Sequence, residues 1–520
     1  MRKVLLIDPG QSFAEGGSRH ALRQTPHIGL SYLASCVRDI ADVRVLDMPL
    51  IGATEVDLVK ALDGFGEGDI AGVTAATFNM REALDAAHIV KSVNSDILVM
   101  FGGPHVNAFP TDALTRSADV DVAVVGEGEV LMRHAVKNYG NRDFTFDLPG
   151  MVFRKEGKIT YRPLTAEWSI GNLDDLPFPD WDFLGLNRYW KRYSFHFDAM
   201  MQLAPLSTNR GCPYTCTFCD PNNLTAKLRV RSPQNTVDEI ARAVERNGVR
   251  YFYLTDSVMS IPKPRFREFC RLMKESGLAQ EVALLGQANV NAIDEEMITG
   301  FKEAGGEYIF FGLESGNEEV LAKNGKRITR EKVMRCTGHA HDIGLSPRGS
   351  FILGLPFETE KSAMDTIEFA TETLKLHSAN FFILDFYPGT AAMRLLQSGG
   401  GGFVMPAGGI DWASYVPSRN RAKVGVNDLT PERLSELHTY AKSKPLPYHD
   451  KDLALREAAT EFLYLVETGR HTGEGRVQAY GRLQQMATKA SDKGRALCRE
   501  RLDRARALMT GAAAPTMVAA

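Results

Sequence analysis

Twice along its length the chain alternates short apolar runs with helical patterns, and this alternation limits the fold more than any other feature. In the first region residues 4–7, 43–46, 70–73, 97–100 and 120–125 are apolar runs of strand length, separated by helical patterns such as 28–40 and 81–93. Strand, helix, strand, helix over this many repeats predicts a parallel sheet with helices on both faces. From about residue 203 the pattern resumes, with strands expected at 251–254, 282–285, 308–312, 349–353 and 381–384 and helices at 236–246 and 295–304. Repeated strand–helix units across 203–392 predict a complete or partial (β/α) barrel. Beyond it, 431–443 and 453–509 carry charged residues at helical spacing and no strand candidate. The expected class is α/β: a doubly wound N-terminal sheet, a central barrel and a helical C-terminal domain.

The punctuation sets the expected boundaries at 1–145, 146–202, 203–392, 393–510 and 511–520. Residues 149–154 and 158–162, joined through Glu156-Gly157, read as a hairpin. Asp174-Asp175-Leu176-Pro177-Phe178-Pro179-Asp180-Trp181 reads as a linker, because two prolines disfavour a continuing helix or central strand. Gly399 to Gly402 breaks the second alternation, and the Ala-rich end after 510 is expected to be disordered. No internal repeat at solenoid length is present.

Composition bounds the function. Acidic and basic residues nearly cancel, leaving a formal charge of -3 in 520 residues, so neither nucleic acid nor an anionic membrane is the expected partner. The apolar start of MRKVLLIDPG ends at Asp8-Pro9-Gly10 and reads as a buried strand rather than a signal peptide. No stretch approaches the roughly 18 apolar residues of a membrane helix. The expected location is cytoplasmic.

Seven cysteines are too few for a disulfide scaffold in a chain this long. Cys36, Cys270, Cys336 and Cys498 are scattered over helical stretches and read as small core residues. Cys212, Cys216 and Cys219 instead lie in one short segment, Asn209-Arg210-Gly211-Cys212-Pro213-Tyr214-Thr215-Cys216-Thr217-Phe218-Cys219. Three thiols spaced this way in a loop after a strand can fold round one metal centre. Iron–sulfur clusters are held by cysteine thiolates, usually four, so three ligands would leave one iron open. Zinc is the rival. It wants four ligands, and no fourth Cys or His lies nearby, His196 being the closest upstream, so ligand count favours iron–sulfur.

This segment resembles the cluster loop of radical S-adenosylmethionine enzymes, down to the Arg-Gly-Cys-Pro lead-in and the aromatic before the third cysteine. The resemblance implies that Cys212, Cys216 and Cys219 ligate a 4Fe–4S cluster whose open iron chelates S-adenosylmethionine, and that Phe218 packs near the adenine. It extends over residues 205–392. Tyr253-Leu254-Thr255-Asp256-Ser257 resembles the second strand end, and Phe311-Gly312-Leu313-Glu314-Ser315-Gly316 the fourth-strand signature. Gly349 to Thr359, with Gly354, is similar to the fifth-strand turn near the adenosine, and Phe386-Tyr387-Pro388-Gly389-Thr390 to the exit of the sixth strand. Asp256, Glu314, Ser315 and Gly354 are therefore candidate S-adenosylmethionine contacts. Their plainer readings are a helix N-cap for Asp256 and a salt bridge for Glu314.

A doubly wound domain ahead of such a barrel resembles the cobalamin-binding module of cobalamin-dependent members of the family. Pro26-His27-Ile28-Gly29-Leu30, Gly102-Gly103-Pro104-His105 and Val125-Gly126-Glu127-Gly128-Glu129 carry that resemblance. Small residues at strand-end turns let backbone approach a large flat macrocycle. Thr74, Thr77, Gly102, Gly103, His105, Gly126 and Glu127 are the candidate cobalamin contacts. Thr74, Thr77 and Asn79 would bond corrin amides or, more plainly, cap the helix at Met80–Arg81. The Asp-x-His-x-x-Gly loop that supplies a histidine to cobalt in many cobalamin proteins is missing, since Asp8-Pro9-Gly10-Gln11-Ser12 holds no histidine.

Taken together, the resemblance implies a cobalamin-dependent radical methyltransferase. One S-adenosylmethionine would methylate reduced cobalamin, and a second would yield the 5′-deoxyadenosyl radical that activates an unreactive carbon, or more rarely phosphorus, of a small-molecule substrate. An electron donor such as flavodoxin or ferredoxin would be a partner. Cyclisation or ring rearrangement with the same cofactors is the enzymatic alternative, and a catalytically silent cofactor-binding protein is the alternative from another class. No side-chain nucleophile or general base stands out, which suits chemistry carried by cofactors.

Overall fold

The computed structural model describes residues 1–10, 25–51, 54–141, 144–189, 191–219, 228–406, 409, 422–469 and 473–510. Gln11, Ser12 and the Ala-rich segment 511–520 lie outside the described residues.

The first sheet has the strand order β2-β1-β3-β4-β5-β6-β7. Strands β1 (Arg2–Asp8), β2 (Ala41–Asp47), β3 (Ile70–Thr74), β4 (Leu98–Gly102) and β5 (Val122–Val124) are parallel. Strands β6 (Met151–Lys155) and β7 (Lys158–Tyr161) add the hairpin as an antiparallel edge of this same sheet. Both faces are covered, and for that reason β1 reads as an unbroken apolar run. Val4 and Leu6 join one core with the helices Ile28–Val37 and Glu129–Asn138, while Leu5 and Ile7 join another with Met80–Val93. The chain reverses its winding between β1 and β3, and a crevice opens beyond the carboxyl ends of the strands there.

The second sheet has six parallel strands in sequential order: Leu203–Leu206, Tyr251–Leu254, Ala283–Ala288, Gly306–Glu314, Ser346–Leu353 and Ser378–Ile383. Among the described residues the first and sixth strands are not paired with each other, so the barrel is partial. Residues 252, 284, 309, 311, 313, 351 and 353 turn outward into the helical layer and are fully buried or nearly so. Local chemistry starts and stops that layer. Ser232 caps the helix Pro233–Asn247 by accepting from Asn235 N–H, Pro233 sits at its first position, and Gly248 closes it at φ 64°.

The segment between the sheets is a packed seam. Trp181, only 2% exposed, lies in the core shared by both sheets, and the Tyr189 hydroxyl donates to Asp47 at 2.8 Å. After the barrel, the helix Pro431–Ser443 lies on the sixth strand, where the His438 ring bonds Phe381 O at 2.9 Å. Helices Lys451–Glu467, Gly473–Lys489, Asp492–Leu497 and Arg499–Thr510 gather round their own core. Asp198, on the hairpin leading into the barrel, anchors them through Arg456 at 3.0 Å and Arg501 at 2.9 Å. Of the scattered cysteines, Cys270, Cys336 and Cys498 are buried and Cys36 is half-buried against the core. Among the described residues no helix is long and apolar enough to cross a membrane.

Gly316 follows the fourth barrel strand and lies against the helix Glu360–Glu368 and the residue after it, where a Cβ would meet Asp365 O and Phe369 Cβ at 2.8 Å. Gly316→Val is expected to cost about 1–3 kcal/mol by overpacking. A urea titration giving the wild-type midpoint for the barrel transition would refute this packing.

Candidate functional site

The three-cysteine loop follows the short strand Asn209–Arg210 at the mouth of the barrel. Its fixing points come from elsewhere in the chain. Thr217 N–H donates to Asn324 O at 3.1 Å, its hydroxyl bonds the Asn324 side chain, and Ala392 N–H donates to Thr217 O at 2.8 Å. Gly325, at φ 72°, lies beneath the loop, where a Cβ would come 2.9 Å from Thr215 O. Asn324 is wholly buried and also donates to Val320 O and Pro356 O, both at 2.9 Å. One side chain thus ties the loop to the turn after the fifth strand. Sequence reading passed over Asn324, whose only signal is an Asn-Gly pair closing a helix.

Burial pushes all three thiols up, Cys219 to about 12. The Lys326 ammonium pulls each of them back down. Lys326 is nearly buried and donates to Glu314 at 2.8 Å. Burial opposes its charge, yet Glu314 and the thiols hold it above the ordinary lysine value. Glu314 itself sits at φ 63°, where the register between the fourth and fifth strands shifts. The ion pair is therefore built into a bulge facing the thiols. Three thiols beside a buried cation form a soft donor set suited to a cluster that must be bound as thiolates. His196 belongs to the opposite, hairpin side of the barrel, its ring 4.7 Å from Phe197. Phe218 is partly buried against the main core.

Asp256, 2% exposed, does not present a free carboxylate. It accepts from Thr208 N–H at 2.7 Å, the Thr208 hydroxyl at 2.5 Å and Asn209 N–H at 2.9 Å, fixing the approach to the cysteine loop. Burial raises its pKa despite those bonds. Ser315 is likewise engaged, with Thr366 at 2.9 Å and Asn317 N–H at 3.1 Å. Gly354, at φ 86°, gives its N–H to the carboxyl of Glu358. Glu358 is fully buried, its Oε1 has no partner, and burial pushes it up to about 8.

A cavity of about 410 Å³ joins the two halves of the molecule. Its floor is apolar, with Leu6, Gly72, Met100, Val124 and Met132 between sheet and helices. Its rim holds Thr74, Gly102, Gly103, Gly126 and Glu127 from the first domain and Ser207, Arg210 and Asp256 from the barrel. Gly103 (φ 104°) admits no side chain, since a Cβ would meet Ala75 O at 2.8 Å. Asn107 lines the cavity too. Its Oδ1 accepts from Gly126 N–H at 2.6 Å, and its buried Nδ2 has no partner. Such an orphaned amide in a cavity fits a ligand with polar groups at its edge.

Two candidate contacts prove to be elsewhere. Thr77 and His105 do not line the cavity: the His105 ring bonds Thr77 at 3.2 Å and Asp112 at 3.0 Å, so both its nitrogens are engaged. Asn79 takes the plainer reading, its Oδ1 accepting from Ala76 N–H at 2.7 Å. Glu127 reaches the rim, but its carboxylate pairs with Arg210 at 3.2 Å and with Arg229. His27, also on the rim, accepts from Leu30 N–H at 3.3 Å as the helix cap. Arg210 bonds Glu129 at 2.7 Å and lies 5.2 Å over the Tyr32 ring. The residue two before the first cysteine is thereby clamped to the first domain.

The radical SAM superfamily pattern matches residues 206–370 and the B12 binding domain pattern residues 19–136. An uncharacterized methyltransferase of Pyrococcus horikoshii is 30% identical over 390 residues, which span 75% of this chain and 82% of that one. The chain belongs to the cobalamin-binding radical SAM enzymes. An anaerobic magnesium-protoporphyrin IX monomethyl ester cyclase of Rubrivivax gelatinosus is 29% identical over 71% of this chain and 66% of its own. The radical S-adenosylmethionine methyltransferase TsrM of Kitasatospora setae, solved with cobalamin and a 4Fe–4S cluster, has the same fold. Its TM-score is 0.63 at 17% identity, covering 78% of this chain and 80% of that one. The cofactors of this radical SAM enzyme are accordingly a 4Fe–4S cluster, S-adenosylmethionine and cobalamin.

Two measurements probe the site's electrostatics. Arg210→Met strands the buried Glu129 carboxylate and leaves Glu127 to Arg229 alone, and is expected to cost about 3–5 kcal/mol in urea titration. Adding Glu129→Gln should return part of that loss, and strict additivity would refute the clamp. Glu358 is held protonated by the fold, so from about pH 4.5 to about 8 the unfolded chain ionises first and wild-type stability falls. Relative to wild type, Glu358→Gln should gain up to about 1.4 kcal/mol per pH unit across that window. A constant difference between pH 5 and pH 8 would place the carboxyl in water instead.

Proposed function

We propose that this enzyme transfers a methyl group from methylcobalamin to an unactivated carbon of a small molecule, with phosphorus the rarer acceptor. The observation that carries the reading is the cavity whose rim is shared by the glycine-rich strand ends of the first domain and the approach to the cysteine loop. A cofactor seated there faces the mouth of the barrel. When bound, the cofactors supply the radical and the methyl group. In this reading Cys212, Cys216 and Cys219 hold the cluster, and Lys326 with Glu314 balances the charge beside it. Phe218 and the Gly354 turn border S-adenosylmethionine, while Asp256 and Ser315 position backbone rather than touch it. Thr74, Gly102, Gly103, Gly126 and Asn107 border cobalamin. The helices after residue 403 cover the barrel and shape the substrate pocket. A cytoplasmic flavodoxin or ferredoxin delivers the electron.

The cyclase relative supports a second reading, ring formation with the same cofactors. Anaerobic reconstitution with iron, sulfide and hydroxocobalamin should give about four irons and one corrin per chain. Cys216→Ala should lose the iron and all reductive cleavage of S-adenosylmethionine. With substrate, methyl transfer produces S-adenosylhomocysteine and 5′-deoxyadenosine together. The second product without the first would overturn methyl transfer in favour of cyclisation or rearrangement.

A further inference from the structure

The inner wall of the partial barrel holds a cation that the protein leaves without a bonded counter-ion. Arg348 lies on the fifth strand, in register with Phe310 on the fourth and Ser378 on the sixth, so the three side chains share the concave face. Its guanidinium sits 3.8 Å over the Tyr308 ring and 5.7 Å from that of Phe310. Stacking of this kind covers the face of the group and leaves its N–H edge to bond something else. Among the described residues nothing does so for Nε, which is buried and has no partner. Burial holds the guanidinium below its ordinary value and Arg192 acts in the same direction, while Tyr308, Glu457 and Tyr251 oppose this at range without a hydrogen bond.

Three more polar atoms of this wall are orphaned. The Tyr308, Ser346 and Ser378 hydroxyls are all buried and unbonded among the described residues, Ser346 standing in register with Tyr308. Native interiors leave few such groups, and four in one wall call for an absent partner. That partner must accept hydrogen bonds and carry negative charge. The rest of the wall describes its body. Phe310 and Tyr253 lie with their rings 6.3 Å apart, and the Tyr253 hydroxyl accepts from Gln287 at 2.8 Å. An apolar body with one polar end suits this wall.

We propose that the barrel binds its substrate by an anionic group, carboxylate or phosphate, seated on Arg348 and the Ser378 and Tyr308 hydroxyls, with an apolar body against Phe310 and Tyr253. This rests on the reading that the barrel's concave face takes the substrate. It narrows that substrate to amphipathic anions and makes Arg348 the residue that selects them.

The test uses the reconstituted full-length enzyme with S-adenosylmethionine present. Binding of 4-phenylbutyrate, phenyl phosphate and neutral 4-phenylbutanol is followed by calorimetry. At least one anion should bind about tenfold or more tighter than the alcohol, and which one does identifies the group as carboxylate or phosphate. Arg348→Gln should abolish the preference, and Ser378→Ala should weaken the preferred anion several-fold. Normal iron content in each variant shows that it has folded. Equal binding of all three probes, binding of none, or a preference that survives Arg348→Gln overturns the proposal. Cleavage of S-adenosylmethionine on reduction is assayed in the same preparation. Its failure would sink the radical reading while leaving the anion preference to stand or fall separately.

Discussion

Arg210 is one residue on a two-residue strand, yet the relation between the two halves of the enzyme depends on it. Its guanidinium bonds Glu127 and Glu129 of the first domain, and Arg229 shares Glu127 from the barrel side. All four side chains are at most 17% exposed. Buried ion pairs contribute little net stability against apolar replacements, but they penalise misplacement because each stranded charge is costly. The knot therefore fixes register between the cavity rim and the cysteine loop rather than holding the domains together by strength alone. Apolar packing around Trp181 does the holding.

From that register the rest of the site follows. The strands of both sheets deliver their carboxyl ends toward one another, and small residues occupy the closest approaches. Gly103 and Gly325 take conformations and spaces that no larger residue would accept. Polar side chains in this zone mostly serve the backbone. Asp256, Ser315 and Asn324 each bond at least two groups from neighbouring segments, which keeps the loops where soft, exchangeable ligands must bind. A cofactor enzyme needs this kind of scaffold, since its side chains orient and shield while the bound groups react.

How far residues reveal their duties depends on whether the duty is local. The cysteine triplet, the alternation of strands and helices, and the small residues at strand ends were legible because each is set by neighbours in the chain. The bond between His105 and Thr77, which are 28 residues apart, is not legible in this way, and neither residue lines the cavity. Glu127 looked like a ligand contact because its arginine partners lie about eighty and a hundred residues away in sequence. Lys326, Asn107 and Arg348 carry no motif at all and acquire meaning only from what folding places beside them.

The sequence by itself determined the α/β class, the two alternating regions and the grouping of three cysteines in one short segment, because periodicity and spacing are properties of short stretches. Only the tertiary structure decided that the hairpin closes the first sheet, that the barrel stops at six strands, and that one cavity spans both domains. It also decided which charges are paired and which are left open. Those outcomes depend on contacts between residues far apart in the chain, where burial and electrostatics act over distances that sequence separation does not measure.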